Sequence, residues 1–228
     1  MKKTIIEVCP HVFQVGGGSL SSADDCLVYL VEGDSVSVLI DTGAGQSVKT
    51  ILDNMNTAGI DLTKIKYIAA THGHIDHIGG LHAFKTKLQA QVIAHRLELP
   101  AIEEGRPSLT AADWYGVTYQ PVQPDIVLKG ESGSLDLEGL QLNWYHIPGH
   151  TRGSIAVTVN TDGKKVLFGQ DIHGPFHPAW GSDMQQWKNS MGILLDLEAD
   201  ILCEGHFGIY APAAEVRSYI ESYLNQYR

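Results

Sequence analysis

Four side chains able to bind a metal ion fall within six positions of this sequence: His72, His74, Asp76 and His77, in the run Thr71-His72-Gly73-His74-Ile75-Asp76-His77-Ile78-Gly79-Gly80. Only 11 of the 228 residues are histidine, so this density argues for a ligand set rather than a solvated polar loop. Imidazole and carboxylate suit zinc and other borderline divalent ions. Residues two apart in an extended segment point the same way, so His72 and His74 can grip one ion. A turn into the next helix would aim Asp76 and His77 at a second ion. Gly79 and Gly80 are expected to allow a sharp turn and close packing. Two ions need further ligands, and three candidates follow predicted strands: His150 in Pro148-Gly149-His150-Thr151, Asp171 in Gly169-Gln170-Asp171 and His206 in Glu204-Gly205-His206. Each alone reads as well as a cap or a satisfied polar group, but the matching contexts together make a site. Two ions about 3.5–4 Å apart can share one water and stabilise it as hydroxide near neutral pH. The expected chemistry is attack of that bridging hydroxide on a carbonyl or phosphoryl centre, with no Ser or Cys nucleophile.

The elements that must position these groups are read from periodicity. A short strand is expected at Val12–Val15. Leu27–Val31 and Val36–Ile40 flank Glu32-Gly33-Asp34 and read as a hairpin. Ser47–Ala58 reads as a helix closed by Gly59, with Val48, Ile51, Leu52 and Met55 on one face. Ile65–Ala70 is a buried strand leading into the histidine run, followed by a helix at Leu81–Leu88 and a strand at Gln91–Ala94. Residues 97–124 carry Pro100, Pro107, Pro121 and Pro124 and read as a long irregular loop, a mobile connection or a lid. Strands then return at Ile126–Lys129, Leu140–Ile147, Ile155–Val159 and Lys165–Phe168, the last two joined by the tight-turn signal Thr161-Asp162-Gly163. Helices at Met184–Leu197 and Ala213–Tyr223 enclose a short strand, Asp200–Cys203. Strands and helix, then strands and helix again, imply two sheets face to face with helices outside.

On these residues the chain resembles the metallo-β-lactamase-fold hydrolases over nearly its whole length. The strand-turn-strand before Asp41-Thr42-Gly43, the His-x-His-x-Asp-His run, the Pro-Gly-His-Thr turn and the late Asp and His occur in that family's order. The resemblance implies an α/β fold: a four-layer αβ/βα sandwich of two mixed sheets, spanning residues 1–228 as one domain, with a dinuclear site at one edge. By the same resemblance His72, His74 and His150 hold the first metal, Asp76, His77 and His206 the second, and Asp171 bridges them. Asp76 would also orient the nucleophile and shuttle its proton. The bridging Asp points to the glyoxalase II-like branch, since classical β-lactamases have Cys or Ser there. Asp41 either supports a metal ligand from behind, as the family pattern suggests, or forms a turn. Lactonases of this fold often carry Tyr three residues past the bridging Asp, where this chain has Gly174.

His173 and His177 either line the substrate pocket or lie near the site through chain proximity alone. Trp114, Tyr115 and Phe176 are candidate pocket walls, whereas Trp180 reads as ordinary packing under a loop. His11, His82, His95 and His146 read as surface or packing residues, and Cys203 as a buried strand residue. The cofactors expected are two divalent ions, zinc first, with iron or manganese compatible with nitrogen and oxygen ligands.

Composition narrows the partners. A formal net charge of -10 disfavours nucleic acid and anionic membranes, and with them a nuclease role. Cys9, Cys26 and Cys203 form no disulfide framework or thiolate zinc spacing and suit reduced thiols in the cytoplasm. Lys2 and Lys3 resemble the start of a leader, but Glu7 and Pro10 interrupt its apolar run. The 22 residues after His206 leave no room for a glutathione-binding helical domain. What remains is hydrolysis of a small thioester, ester or lactone, with β-lactam or phosphodiester cleavage ranked below. An iron-dependent persulfide dioxygenase on the same fold, using one iron, is the alternative from another class. The apolar positions of the C-terminal helix either cover the sandwich or form a contact between copies.

Overall fold

In strand after strand, alternate side chains leave the backbone for two different cores, as a pleated strand covered on both faces requires. In the computed structural model, which describes residues 4–227, Val28 and Leu30 face one core while Tyr29 and Val31 face another. Ile155, Val157 and Val159 likewise separate from Ala156. Lys2 and Lys3, weighed above as a leader start, lie outside the described residues.

The first sheet runs β1 (Ile6–Cys9), β2 (Val12–Gly16), β3 (Val28–Glu32), β4 (Ser37–Ile40), β5 (Ile65–Ala69), β6 (Gln91–His95) and β7 (Ile126–Leu128), in spatial as in chain order. The second runs β8 (Ser132–Leu137), β9 (Leu140–His146), β10 (Ile155–Thr161), β11 (Lys164–Gln170), β12 (Ile201–Glu204) and β13 (Ile209–Tyr210), again in chain order. The inner faces meet in a shared core that includes Tyr29, Val38, Ile93, Trp144, Val157 and Phe168. Helices α1 (Val48–Thr57), α2 (Ile75–Ile78) and α3 (Leu81–Leu88) follow in the first half, α1 and α3 burying Ile51, Met55 and Phe84 against the outer face of the first sheet. Short helices α4 (Leu99–Ile102), α5 (Pro107–Thr110) and α6 (Ala112–Tyr115) come next. Then α7 (Met184–Asp196) and α8 (Ala213–Gln226) cover the second sheet with Trp187, Met191, Leu194, Val216 and Ile220. Helix α7 starts where Asp183 accepts hydrogen bonds from the Gln185 and Gln186 N–H groups, satisfying two otherwise orphaned donors. The expected four-layer αβ/βα sandwich is the observed one.

Strand direction places the chemistry. β4 to β7 are mutually parallel. β9 and β11 both run antiparallel to β10, and β12 runs parallel to β11, so β9, β11 and β12 share one direction. The segments following β4, β5, β6, β9, β11 and β12 therefore gather at strand carboxyl ends, where open α/β sheets bind ligands. Hydrogen bonds stitch the sheets together there. The Ile155 N–H donates to the Thr71 carbonyl (2.9 Å), the Leu27 N–H to the Gly205 carbonyl (2.7 Å) and the Tyr29 hydroxyl to the Glu204 carbonyl (2.8 Å).

The expected hairpin pairs Tyr29 with Ile40 and Val31 with Val38, and the Thr161-Asp162-Gly163 turn closes β10 onto β11 with positive φ at both Asp162 and Gly163. The strand read as Lys165–Phe168 extends to Gln170 and the last helix to Gln226. The loop reading of 97–124 needs correction. Three one-turn helices fold there, and Ile102, Ala112, Tyr119 and Val122 anchor them in the first core. Gly79 and Gly80 make no sharp turn: their φ values of -57° and -85° are helical. Glycine is needed there for space, because an added Cβ would collide with the Ala44 backbone or the Thr42 carbonyl.

Phe168 is 1% exposed between the sheets, its ring 5.6 Å from that of Tyr29. Phe168→Ala is expected to cost about 3–5 kcal/mol through lost burial and the cavity left behind, measured as a lowered denaturation midpoint in urea.

Candidate metal centre

The backbone delivers the predicted ligands by the local geometry that their spacing requires. His74 has extended φ and ψ and caps α2, so the chain turns helical immediately after it and carries Asp76 and His77 round to another direction. All seven candidate ligands converge in two groups: His72, His74, His150 and Asp171, and Asp76, His77, His206 and Asp171. Within each group the ligating atoms lie within 4.8 Å of one another.

Asp171 belongs to both, one oxygen to each. Its Oδ1 lies 3.1 Å from His77 Nε2 and 3.2 Å from His206 Nε2, and its Oδ2 lies 3.6 Å from His150 Nε2 and 3.9 Å from His72 Nε2. His206 Nε2 is also 3.2 Å from Asp76 Oδ2, and His74 Nδ1 is 2.8 Å from His150 Nε2. Buried polar atoms are normally hydrogen-bonded, yet His72 Nε2 and His74 Nε2 have no hydrogen-bond partner. Converging lone pairs with nothing to bind them are what a cation satisfies, so the residues present fit divalent metal ions. Burial pulls His74 and His150 down to about 3 and His72 well below the usual imidazole value, leaving neutral rings able to ligate. Burial alone would raise the Asp171 carboxyl, but His206 and His77 beside it hold it well below the usual carboxylate range.

Outer partners aim these rings. The His77 Nδ1–H donates to Asp41 Oδ2 (2.8 Å), which turns Nε2 toward the site. Asp41 also accepts from the Thr71 N–H (2.8 Å) and hydroxyl (2.7 Å), so one carboxylate fixes both the ring and the start of the histidine run. Asp41 does this from a left-handed backbone, φ 59°. The His150 Nδ1–H donates to the Pro175 carbonyl (2.8 Å) and leaves Nε2 facing inward. Cys26 sits against Asp41 and His77. Burial pushes its thiol up to about 12, so it stays protonated and unreactive.

Two acids escaped the sequence reading. Glu98 is 4% exposed. It accepts from the Thr151 hydroxyl (2.7 Å) and the Gly153 N–H (2.6 Å) and also faces the Gly73 N–H, tying the loop after β6 to both histidine-bearing turns. Glu204 accepts from the N–H groups of His206 (2.6 Å) and Phe207 (2.7 Å) through one oxygen and holds His173 Nδ1 at 2.6 Å with the other. Nothing in the sequence marks Glu98, whose partners Gly73, Thr151 and Gly153 all lie far along the chain. Glu204 was visible only as the neighbour of His206.

A cavity of about 310 Å³ opens over the two groups, and Trp114, Tyr115 and His173 line it. Burial and the neighbouring Asp76 carboxylate push the Tyr115 hydroxyl up. Three readings change. Trp180, taken as packing, is a wall of this cavity, with its ring 4.5 Å from that of His74. Phe176 turns away into the helical layer against Trp187 (5.4 Å) and Tyr227 (5.3 Å), because α7 and α8 offer it an aromatic pocket. His177 lies outside, edge-on to Trp114 and tilted against Trp180, where its ring caps the turn at Ala179. His95 and His146 are packing residues, with rings stacked 4.3 Å apart.

The sequence profile of the metallo-β-lactamase superfamily matches residues 22–206, which contain all seven of these side chains. The chain belongs to the metallo-β-lactamase superfamily. Among relatives, the human acyl-coenzyme A thioesterase MBLAC2 is 28% identical over 185 residues, covering 71% of this chain and 63% of that one. This chain thus matches less than two thirds of that relative's length. The probable metallo-hydrolase YflN of Bacillus subtilis (strain 168) is 27% identical over 242 positions, covering 93% and 90%. In fold, the subclass B3 metallo-β-lactamase BJP-1 of Bradyrhizobium japonicum superposes with a TM-score of 0.81 at 22% identity, over 99% of this chain and 94% of that one. The chain thus carries the superfamily's fold together with a His/Asp cluster suited to divalent metal. No helix among the described residues is long and apolar enough to cross a membrane.

Asp41→Asn keeps the size but weakens the acceptor for His77 Nδ1–H, and is expected to lower metal affinity about 10–100-fold, read by competition with a chromogenic chelator. Glu98→Ala strands the buried Thr151 hydroxyl and Gly153 N–H, at about 1–3 kcal/mol for each unsatisfied group. Glu98→Gln, which retains one acceptor, should lose distinctly less in thermal unfolding.

Proposed function

We propose that this chain is a dinuclear metal-dependent hydrolase of small acyl compounds, with thioesters the first class to test. The single observation that carries the dinuclear reading is the placement of Asp171 between the two ligand groups, with one carboxylate oxygen turned to each. A carboxylate at that position is also what supports the glyoxalase II-like branch. His72, His74 and His150 would hold one ion, Asp76, His77 and His206 the other. Bound there, a pair of divalent ions lowers the pKa of water to near neutrality and polarises a carbonyl oxygen. Zinc suits the nitrogen-rich set best, and iron or manganese would also fit.

The chain's own residues supply the remaining tasks. The second oxygen-bearing group beside His206 is Asp76, 3.2 Å away, with the Tyr115 hydroxyl close to it on the cavity side. Asp76 is thereby placed to orient the attacking water and carry its proton to the leaving group. The aromatic walls Trp114, Tyr115 and Trp180 shield an apolar acyl chain from solvent. The thioester class is favoured by likeness to the thioesterase MBLAC2, and a small-molecule substrate by the cavity's size. The second ligand group gives a dioxygenase with one iron no advantage here.

Metal analysis is expected to find close to two equivalents in the purified protein, and fewer than one in Asp171→Ala. Hydrolysis of a panel of p-nitrophenyl esters, thioesters, lactones and phosphodiesters should be strongest on a thioester or ester, and lost in His74→Ala. Undiminished turnover by a chelator-stripped sample would reject the reading, and oxygen uptake on a persulfide by an iron-bearing preparation would replace it with the dioxygenase.

A further inference from the structure

A second cavity, of about 330 Å³, shares Trp180 with the cavity over the ligand groups. The indole is therefore a wall common to both, with its ring 4.5 Å from that of His74. The chain has five arginines, and three of them, Arg96, Arg106 and Arg152, line that one cavity. Such a concentration runs against a formal net charge of -10.

The neighbouring acids neutralise only one of the three. Glu98 borders the cavity, but its carboxylate is taken up by the Thr151 hydroxyl and the Gly153 N–H. Glu104 pairs with Arg106 at 2.6 Å. Among the described residues neither Arg96 nor Arg152 has an ion-pair partner. Arg152 is exposed but runs along the turn that carries Trp180. Its side chain lies over Gly181, φ 74°, where an added Cβ would collide with it, and Gly181 closes the turn that carries Trp180. Arg152 also follows His150 by two positions, so the segment that supplies a candidate ligand supplies this guanidinium. Unpaired guanidinium forks match the planar, bidentate demands of carboxylate and phosphate groups.

We propose that this cavity is a subsite for the anionic end of the substrate, a carboxylate or phosphate, held by Arg96 and Arg152 with Arg106 at its edge, while the scissile acyl carbonyl lies across Trp180 at the ligand groups. This rests on the acyl-hydrolase reading above and narrows it to acidic acyl compounds.

The test compares three acetyl thioesters on the metal-loaded full chain: those of N-acetylcysteamine (neutral), 6-mercaptohexanoate (carboxylate) and pantetheine 4′-phosphate (phosphate). At least one anionic thioester should exceed the neutral one about tenfold in kcat/KM, chiefly through KM, as charge-assisted hydrogen bonds of ordinary strength would give. In the double variant Arg96→Ala/Arg152→Ala that ratio should collapse toward one, and Arg96→Lys/Arg152→Lys should restore part of it. Whichever anion keeps the preference identifies the group recognised. Calorimetric titration of adipate and of inorganic phosphate gives a readout free of turnover, and the double variant should bind the favoured anion at least about tenfold more weakly. Equal kcat/KM for all three thioesters in the wild type would overturn the subsite, as would a parallel fall for all three in the variant. Should no thioester be turned over, the acyl-hydrolase reading fails, and the subsite stands or falls on whether the two titrations differ between wild type and variant.

Discussion

The controlling constraint is that seven candidate metal-binding side chains, all but His206 buried, converge where strand ends of the two sheets meet, with their lone pairs turned toward each other. Burying imidazole and carboxylate without partners costs free energy, and only a rigid surround keeps such groups converged instead of letting them collapse onto nearby donors. That surround is built from acids one step further out. Asp41, Glu98 and Glu204 each spend a carboxylate on two or more backbone or side-chain donors of the segments that carry the ligands. The site is therefore not a set of residues on flexible loops. It is a set of short turns locked by buried carboxylates onto the ends of strands that all point one way.

Much of this was legible in the sequence for a simple physical reason. Ligand spacing is a local property, and the alternation of an extended segment followed by a helical turn is written into six consecutive residues. The long apolar strands and the amphipathic helices were equally visible, because their periodicity reflects a face buried along their whole length. β8 was not visible: Ser132–Leu137 includes Gly133 and Asp136, which read as turn residues, and it lies at the sheet edge with most positions at least partly exposed. β1 and β13 are too short to show a period.

What stayed hidden is everything decided by distant partners. Trp180 stands among Pro178 and Gly181 in a stretch that reads as loop, and only the path of the chain brings its ring to His74. Phe176 and His177 are adjacent to the same turn yet face other surfaces, since their orientation is set by α7, α8 and Trp114 and not by proximity to Asp171. The segment 97–124 looked unstructured because its prolines mask three single turns. Those turns take their stability from Ile102, Tyr119 and Val122 reaching into a core already formed by the first sheet.

Each sheet is laid down in chain order, and the candidate ligands divide between them: four follow β5, and three follow β9, β11 and β12. A metal ion bound at either group would therefore clasp the amino-terminal to the carboxy-terminal half. Its occupancy would be linked to the docking of the sheets, and free metal at a thousandfold excess over its dissociation constant would contribute about 4 kcal/mol to holding them together. Stripping the metal would then loosen the fold as well as empty the site.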